Sequence, residues 1–183
     1  LIKQRIQEKQ LTVVGGEFHE GATSLMHPEE VLDGWNKARD VYESSLEIIP
    51  KVYGRRRFGF TSNMPQWLSR FGITAALHVG LDDGSNPESS QAKTRWEGRD
   101  GSSIDAIARV PLNASLHETY LSLATKLGES MDMDHVATLC LAHWPDKTPE
   151  WFDDLVRISR RTSALGRFVT LEEYFETTDI APL

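Results

Sequence analysis

Cysteine is nearly missing from this chain, because Cys140 is the only one among 183 residues. An intramolecular disulfide is therefore excluded. Cys140 lies in the apolar, strand-like segment Val-Ala-Thr-Leu-Cys-Leu-Ala at 136–142. In such a setting a cysteine usually behaves as a small core side chain, so the sequence does not favour a catalytic thiolate.

Long apolar runs and a surplus of basic residues are also missing. No run approaches the roughly 18 apolar residues that cross a bilayer, and no signal peptide is visible, so we expect a cytoplasmic protein with no membrane partner. The formal net charge of −7 argues against a nucleic-acid partner. The arginine run at 55–57 is too short to form a stripe that binds a phosphate backbone.

The signature motifs of several enzyme classes are absent as well. The sequence contains no H-E-x-x-H, G-x-S-x-G, P-loop or C-x-x-C pattern. Zincin, serine-hydrolase, nucleotide-binding and thiol-redox functions therefore lack support.

What the chain does contain is an alternation of strand and helix patterns. The predicted strands lie at 11–14, 57–60, 73–79, 104–110, 135–142 and 168–170. The predicted helices lie at 1–10, 28–49, 64–71, 114–127, 149–165 and 171–176. This alternation predicts an α/β fold with mostly parallel strands. Because about six strands are too few for a complete eight-stranded barrel, we predict a single α/β domain over residues 1–183, built as a partial barrel.

The beginning of the chain carries a further expectation. A helix tail leads directly into the first predicted strand, which suggests that an earlier strand precedes Leu1. We therefore expect a fragment of a longer chain that lacks the first barrel strand. A barrel without that strand has an unpaired edge, which a homodimer would cover.

Three short segments follow one another in a distinctive order. They are Val-Gly-Gly-Glu-Phe-His-Glu at 14–20, Phe-Gly-Phe-Thr at 58–61 with Met-Pro-Gln at 64–66 and Phe-Gly-Ile at 71–73, and Trp-Glu-Gly-Arg-Asp-Gly-Ser at 96–102. Together they resemble glycoside hydrolase family 38, the α-mannosidases of the wider glycoside hydrolase/deacetylase superfamily. The resemblance spans about residues 11–110. It implies a seven-stranded (β/α) barrel that acts on α-linked mannosides with one zinc ion and an aspartate nucleophile.

The resemblance places the nucleophile two residues before Phe58, where this chain has Arg56. A guanidinium cannot act as a nucleophile, and its fixed positive charge repels a divalent ion. The first-strand H-x-H-x-D metal motif of the family is also absent. We therefore expect this chain alone to be inactive by the standard mechanism. Arg56 would instead form bidentate hydrogen bonds to an acidic group of a ligand.

Three histidines stand at or near the carboxyl ends of predicted strands, where ligands bind in α/β proteins. His19 follows the Gly-Gly pair, His78 lies at the end of strand 73–79, and His143 follows strand 135–142. These are the candidate metal ligands for a zinc ion. The alternatives are an exposed loop for His19 and a strand end beside a solvated turn for His78.

Carboxylates and tryptophans in the neighbouring loops are the candidate catalytic and sugar-binding residues. Retaining glycoside hydrolysis requires two carboxyl groups about 5 Å apart, and an aromatic ring packs well on the apolar face of a sugar. Asp100, which precedes Gly101, is also typical of a simple turn. The candidate catalytic residues are Asp82, Asp83, Glu97 and Asp146. The candidate substrate-binding residues are Arg56, Trp96, Asp100 and Trp144.

Two functions follow from these features. In the first, the chain is part of a glycoside hydrolase whose full-length form uses carboxylates other than residue 56. In the second, it is a catalytically inactive carbohydrate-binding barrel in which Arg56 and Trp144 hold the ligand. A metal-dependent deacetylase of the same superfamily would need an Asp-His-His set, which cannot be assembled from this sequence.

Overall fold

The computed structural model describes residues 1–57, 59–80, 92–133, 136–143, 149–163 and 166–178. The helices are α1 (Ile2–Gln7), α2 (Pro28–Leu46), α3 (Met64–Arg70), α4 (His117–Leu121), α5 (Leu123–Met133), α6 (Glu150–Ser159) and α7 (Leu171–Thr177). The strands are β1 (Val52–Arg55), β2 (Ala75–Gly80), β3 (Lys93–Glu97), β4 (Ser103–Ile107), β5 (Leu112–Asn113) and β6 (Leu141–Ala142). None of the helices in these ranges is both long and apolar enough to cross a membrane.

The chain divides into two compact units. The first contains Leu1–Ser89, Lys93–Arg109 and Thr170–Leu183, and the second contains Ser90–Ala92 and Val110–Val169. The chain thus leaves the first unit after β4 and returns to it with α7. The sequence had suggested one domain without this division.

The first unit is built on a four-stranded sheet with the order β1-β2-β4-β3. The β1–β2 and β2–β4 pairs are parallel, whereas β3 runs antiparallel to β4. Tyr53 lies opposite Ala76, and Ala76 lies opposite Ala106, which fixes the register of the three parallel strands. The predicted α/β class with mostly parallel strands is therefore confirmed. The predicted barrel is not confirmed. Over the described residues the sheet is open, because β1 and β3 are its two edges.

Each face of this sheet is covered by helices, because successive side chains of a strand point to opposite faces. Ala76, Ile104 and Ala106 lie in one core cluster with Trp35 of α2 and Leu68 of α3. The alternate positions of the strands form a second cluster with α7. Its members are Leu77, Val79 and Ile107, and the residues packed against them include Leu171, Tyr174 and Phe175. The first unit thus has three layers, which bury both faces of the sheet.

Lys93 connects α7 to the sheet, on the same side of the sheet as the second cluster. Its side chain is 8% exposed and lies 3.1 Å from Asp105 Oδ2 on β4. Its Nζ also donates to the carbonyl oxygen and the hydroxyl of Thr178, at 2.9 and 3.1 Å. Thr178 is the residue that caps the carboxyl end of α7, where a positive charge interacts favourably with the helix dipole.

Local sequence signals explain where the helices of the first unit begin and end. Helix α2 starts with Pro28 at its first position and has Glu29 and Glu30 in the first turn, as expected for a helix amino terminus. Helix α3 ends at Arg70 and is followed, after Phe71, by Gly72, whose φ of 76° is a conformation that favours glycine. The predicted bounds of both helices differ from the observed ones by three residues or fewer.

Several predicted strands are misplaced. The strand expected at 57–60 lies earlier, at Val52–Arg55. Its side chains Val52 and Tyr53 are buried in the core of the first unit, which explains why the strand forms there. The strand expected at 11–14 is reduced to a single parallel bridge between Val14 and Val52. Residues 166–170 form no strand, and the described part of 135–142 contains only β6. Strand β3 was not among the predicted strands; it forms one edge of the sheet, antiparallel to β4.

The second unit pairs β5 with β6 in parallel, and the Leu112 amide donates to the Cys140 carbonyl oxygen. The helix predicted at 114–127 is divided into α4 and α5. Ser130 of α5 is fully buried and bonds to the amide and carbonyl of Thr138. Burial raises the pKa of the Cys140 thiol to about 11, so this side chain is a neutral thiol at physiological pH, in agreement with the expectation from its sequence setting.

Candidate functional site

A buried polar network lies at the carboxyl end of β1, and we call it the anchor network: Glu17, Thr23, Tyr53 and Arg55. The Arg55 guanidinium donates to Thr23 Oγ1 at 3.1 Å and to the Gly21 carbonyl oxygen at 2.8 Å. Its Nη1 also lies 3.4 Å from Glu17 Oε1, and this oxygen accepts the Tyr53 hydroxyl at 2.9 Å. The network therefore ties the loop after the Gly-Gly pair to the end of strand β1.

The same network reaches the loop that follows β1. The Thr23 hydroxyl donates to the Gly59 carbonyl oxygen at 2.9 Å. Gly59 has a φ of 149°, and a Cβ there would approach the Arg55 guanidinium to 3.2 Å. The guanidinium therefore packs closely against Gly59.

Burial dominates the electrostatics of the anchor network. The Glu17 side chain is 8% exposed and the Arg55 side chain 2%. Burial raises the pKa of Glu17, and the Arg55 charge and the Tyr53 hydroxyl only partly offset this effect. Burial and the neighbouring Glu17 likewise raise the pKa of Tyr53 well above its ordinary value. The site region thus contains a carboxyl group whose ionisation is disfavoured by its surroundings.

Arg56, which stands at the family's nucleophile position, is exposed. Its amide donates to Glu20 Oε1 at 2.8 Å, and the Arg57 amide donates to Glu20 Oε2 at 3.1 Å. The Glu20 carboxylate therefore fixes the backbone at residue 56 from the loop that carries His19. Consecutive arginines have different environments: Arg55 is buried by the strand and Arg56 is outside it.

Three rings form a second feature, which we call the ring triad: Phe60, His78 and Trp96. The His78 and Trp96 rings are stacked, with centroids 3.9 Å apart and an interplanar angle of 11°. Phe60 meets both edge-on, at 5.0 Å from His78 and 5.3 Å from Trp96. Phe60 also contacts Tyr53 of the anchor network at 6.1 Å. Burial lowers the pKa of His78 to about 4, so its imidazole is neutral at physiological pH.

The structure thus brings together two of the predicted site residues, His78 and Trp96, but as packed rings. Glu97 is exposed at the end of β3, opposite Ser103, the first residue of β4. Asp100 accepts hydrogen bonds from the Ser102 hydroxyl at 2.6 Å and amide at 3.2 Å, which lower its pKa. Asp100 is therefore the turn residue that the alternative interpretation described. Asp82, Asp83, Trp144 and Asp146 lie outside the described residues.

The predicted zinc ligands do not form a set among the described residues. His19 is exposed and packs edge-on against Phe18, and His143 belongs to the second unit, where its ring lies 5.6 Å from Phe152. Within the described ranges, no three His, Cys, Asp or Glu side chains are placed to hold a metal ion. Zinc requires three or four such ligands, and the zinc site stays a prediction.

Sequence reasoning missed the anchor network. The Gly-Gly pair did mark the loop that carries Glu17, but its neighbour His19 was singled out instead. Arg55 lies within an arginine run, and the sequence alone does not distinguish it, because the buried positions of β1 (Val52, Tyr53 and Arg55) do not alternate strictly. The family resemblance, which places the nucleophile two residues before Phe58, directed attention to Arg56 instead.

Comparison with solved structures identifies a related architecture. The crystal structure of 4-alpha-glucanotransferase from Thermococcus litoralis aligns with a TM-score of 0.61 at 15% sequence identity. The alignment covers 96% of this chain but only 28% of the glucanotransferase chain. At this identity the similarity concerns the fold alone. A search of curated proteins found no match.

The family comparison agrees with the three segments on which the resemblance rested. The sequence matches the family described as "Glycosyl hydrolases family 38 N-terminal domain" over residues 1–177. This match covers the anchor network, the ring triad and both compact units. The chain therefore belongs to the glycosyl hydrolase family 38 N-terminal domains and is a glycoside hydrolase-type domain.

Proposed function

We propose that this domain recognises an α-linked mannoside. We also propose that the side chain of residue 56 is not the nucleophile that attacks the bound sugar. The observation that carries the proposal is the family match over residues 1–177, combined with an arginine at the nucleophile position. An arginine keeps its positive charge under all ordinary conditions and cannot attack an anomeric carbon.

The ring triad supports a location for the sugar. Phe60 and His78 are half-buried, whereas Trp96 is buried. A hexose presents an apolar face of C–H groups that packs on an aromatic ring, and hydroxyl groups that bond to a neutral imidazole. We therefore assign Phe60 to stacking and His78 to hydrogen bonding with a sugar hydroxyl.

The proposal is tested by calorimetric titration of the full-length protein with an α-linked mannobiose and, as a matched ligand, maltose. Mannobiose is expected to bind more tightly than maltose. Phe60→Ala is expected to weaken mannobiose binding about three- to tenfold, because it removes one ring contact. Phe168→Ala serves as the control, since Phe168 is a half-exposed phenylalanine of the second unit. Equal affinity for both disaccharides would refute mannoside recognition, and an unchanged affinity in Phe60→Ala would refute the location.

A second candidate function is hydrolysis of the mannoside by the full-length protein. Family membership favours it, because this is a family of glycosyl hydrolases. The carboxylates Asp82, Asp83, Glu97 and Asp146 would then supply the acid and the nucleophile or base. In the full-length protein, an Asp→Asn or Glu→Gln change at one of them should lower kcat on a nitrophenyl α-mannoside at least about 100-fold. If none of the four changes lowers kcat, this second function is wrong.

A further inference from the structure

The second unit leaves much of its apolar surface uncovered. Among its described residues, no apolar side chain larger than alanine is buried. Helix α6 shows this most clearly, because none of its ten residues is buried. An amphipathic helix gains most of its stability by packing its apolar face against other elements. The apolar residues of α6 are Trp151, Phe152, Leu155, Val156 and Ile158.

These apolar residues form two lines along α6. Phe152 faces its own unit, because its ring lies 5.6 Å from the ring of His143. Trp151 and Ile158 are 40% and 42% exposed, and they lie on one face because seven residues make nearly two turns. Leu155 lies between them on that face. We call Trp151, Leu155 and Ile158 the α6 stripe, which is about 10 Å long.

Helix α4 extends the α6 stripe on one side. The Trp151 ring lies 5.0 Å from the His117 ring and 6.3 Å from the Tyr120 ring, so one side of the indole is held in place. Leu121 follows His117 by one turn on the same face of α4 and is 73% exposed. A packed but half-exposed tryptophan beside exposed aliphatic side chains is typical of a protein–protein contact.

The charges beside the α6 stripe indicate what covers it. Along one side of the stripe, Glu150 and Asp154 lie towards the amino end of α6, and Arg157 and then Arg161 lie towards the carboxyl end. All four residues are exposed. Arg157 donates to Asp154 at 3.3 Å, but both side chains remain at least 63% exposed. This side of the stripe is therefore negative at one end and positive at the other.

Such a charge pattern is complementary to itself. A second α6 helix that runs antiparallel to the first brings each acidic end beside a basic end, whereas a parallel one brings like charges together. The apolar residues fit the same arrangement, because the two ends of the stripe exchange places. The pattern therefore favours a second copy of this chain over a partner with charge of one sign.

We propose that two copies of this chain associate through the α6 stripe about a two-fold axis, with the two α6 helices antiparallel. Trp151 of one copy then lies against Ile158 of the other, and Leu155 lies near the axis. Glu150 of each copy approaches Arg157 of the other, so every contact occurs twice. This surface is not the sheet edge that the sequence suggested for a homodimer. It belongs to the second unit and does not depend on mannoside recognition by the ring triad.

The size of the surface sets the expected strength of the dimer. A stable interface buries about 800 Å² on each partner, whereas α6 and α4 have only ten and five residues. The contact is therefore smaller than a standard interface, and we expect a dissociation constant on the order of 10–100 μM. The charged pairs should make the dimer weaker at high salt concentration.

The test is sedimentation velocity of the full-length protein over concentrations well below and well above this range. We expect the mass to rise from that of a monomer to that of a dimer. Ile158→Asp is expected to weaken the dimer at least about tenfold, because it places a charge in the apolar contact. Val41→Asp on α2 is the matched control, since Val41 is also a helical aliphatic residue and is 45% exposed; it should leave the dimer unchanged.

A charge exchange tests the antiparallel arrangement. Glu150→Lys and Arg157→Glu should each weaken the dimer about three- to tenfold, because each brings like charges together across the axis. An equimolar mixture of the two variants should restore it, since one copy of each again places opposite charges side by side. Both side chains are exposed, so this experiment remains informative if Ile158→Asp does not fold.

Three outcomes decide against this surface. A monomer at every concentration overturns the proposal, because it means that the α6 stripe does not bind a second copy. A dimer of unchanged strength in Ile158→Asp places the contact elsewhere, for example at the sheet edge, and also overturns it. A mixture of the charge variants that dimerises no better than either alone overturns the antiparallel arrangement.

Discussion

At the scale of single residues, Arg55 and Glu17 show how this domain tolerates charge in its interior. Both side chains are almost completely removed from water, and removal of a charge from water is costly unless it is paired and hydrogen-bonded. Arg55 meets this requirement through Thr23 and the Gly21 carbonyl as well as Glu17. The contribution of each residue of the anchor network to the free energy of unfolding therefore depends on the presence of the others.

Removal of Arg55 alone should be strongly destabilising. We expect Arg55→Met to lower the free energy of unfolding by about 3–5 kcal/mol, because Glu17 is left buried without its partner. In the double variant with Glu17→Met the loss should be smaller than the sum of the two single losses. Urea denaturation of the four proteins measures this coupling.

An exposed pair provides the comparison for that cycle. Arg39 and Glu43 form an i,i+4 pair at 3.0 Å on the surface of α2, and the corresponding cycle should give a coupling of about 0.3–0.5 kcal/mol. If the coupling between Arg55 and Glu17 is equally small, Arg55 does not compensate the burial of Glu17, and the prediction is wrong.

His78 should make stability depend on pH. Its pKa is lowered from 6.5 to about 4 by burial, so between these values the unfolded chain binds a proton that the native protein does not. The free energy of unfolding must therefore fall as the pH drops through this window. Allowing for the partial exposure of the ring, we expect a loss of about 1–2 kcal/mol between pH 7 and pH 4.5 that is missing in His78→Phe.

The measurement for His78 is urea denaturation of both proteins across this range. Between pH 7 and pH 9 His78 does not titrate, so the two proteins should show the same slope there. If the free energy of unfolding of His78→Phe falls by the same amount in acid, burial does not lower the pKa of His78, and the prediction is wrong.

At the scale of elements, the end of α3 illustrates how local hydrogen bonds fix a boundary. The Gly72 amide donates to the Ser69 carbonyl oxygen, and the Ile73 amide donates to that of Leu68 at 2.9 Å. This pair of bonds is the Schellman arrangement, which requires a left-handed residue at the position of Gly72. All of its partners lie within five residues, and the sequence therefore predicted this helix end correctly.

Two glycines with open space around them should respond to alanine with opposite signs. A Cβ at Gly72 or at Gly128 of α5 meets no atom within 4 Å. Gly72→Ala should lower the free energy of unfolding by about 1 kcal/mol because of its positive φ, whereas Gly128→Ala should raise it by about 0.5–1 kcal/mol. Denaturation of the two variants checks this, and an equal sign for both would contradict the assigned backbone conformations.

At the scale of the whole molecule, the order of elements along the chain differs from their order in space. The first unit is interrupted after Arg109 and resumes at Thr170. Helix α7 then covers the face of the sheet formed by Leu77, Val79 and Ile107. The first unit is therefore complete only when α7 has been added.

A chain that ends at residue 169 should be less stable than the full chain. It loses the contacts of Leu171, Tyr174 and Phe175 with the sheet, and we expect a decrease of about 3–6 kcal/mol in the free energy of unfolding. Thermal denaturation and binding of a hydrophobic dye measure the loss and the exposed apolar surface. Leu25→Ser is the control, since this side chain is already 86% exposed. A truncated chain as stable as the full one would contradict the layer assigned to α7.

Sequence reasoning succeeded where the signals were local or repeated. Pro28 with Glu29 and Glu30 marked the start of α2, and the apolar run ending at Val79 marked β2. The family resemblance was carried by three short segments, and the family match confirms it. The partial or seven-stranded barrel is not confirmed, because the sheet is open over the described residues. The number of strands and their closure depend on pairing between distant segments, which periodicity does not report.

The sequence by itself determined the α/β class, the main helices and the family of this protein, because caps, turns and hydrophobic periodicity act over a few neighbouring residues. Only the tertiary structure decided which arginine is buried, since Arg55 is selected by partners such as Glu17, which lies 38 residues away along the chain. It also decided that His78 packs on Trp96 as a neutral ring and that α7 returns to the first sheet. These outcomes depend on burial, and burial is a property of the packed molecule and not of any segment of its sequence.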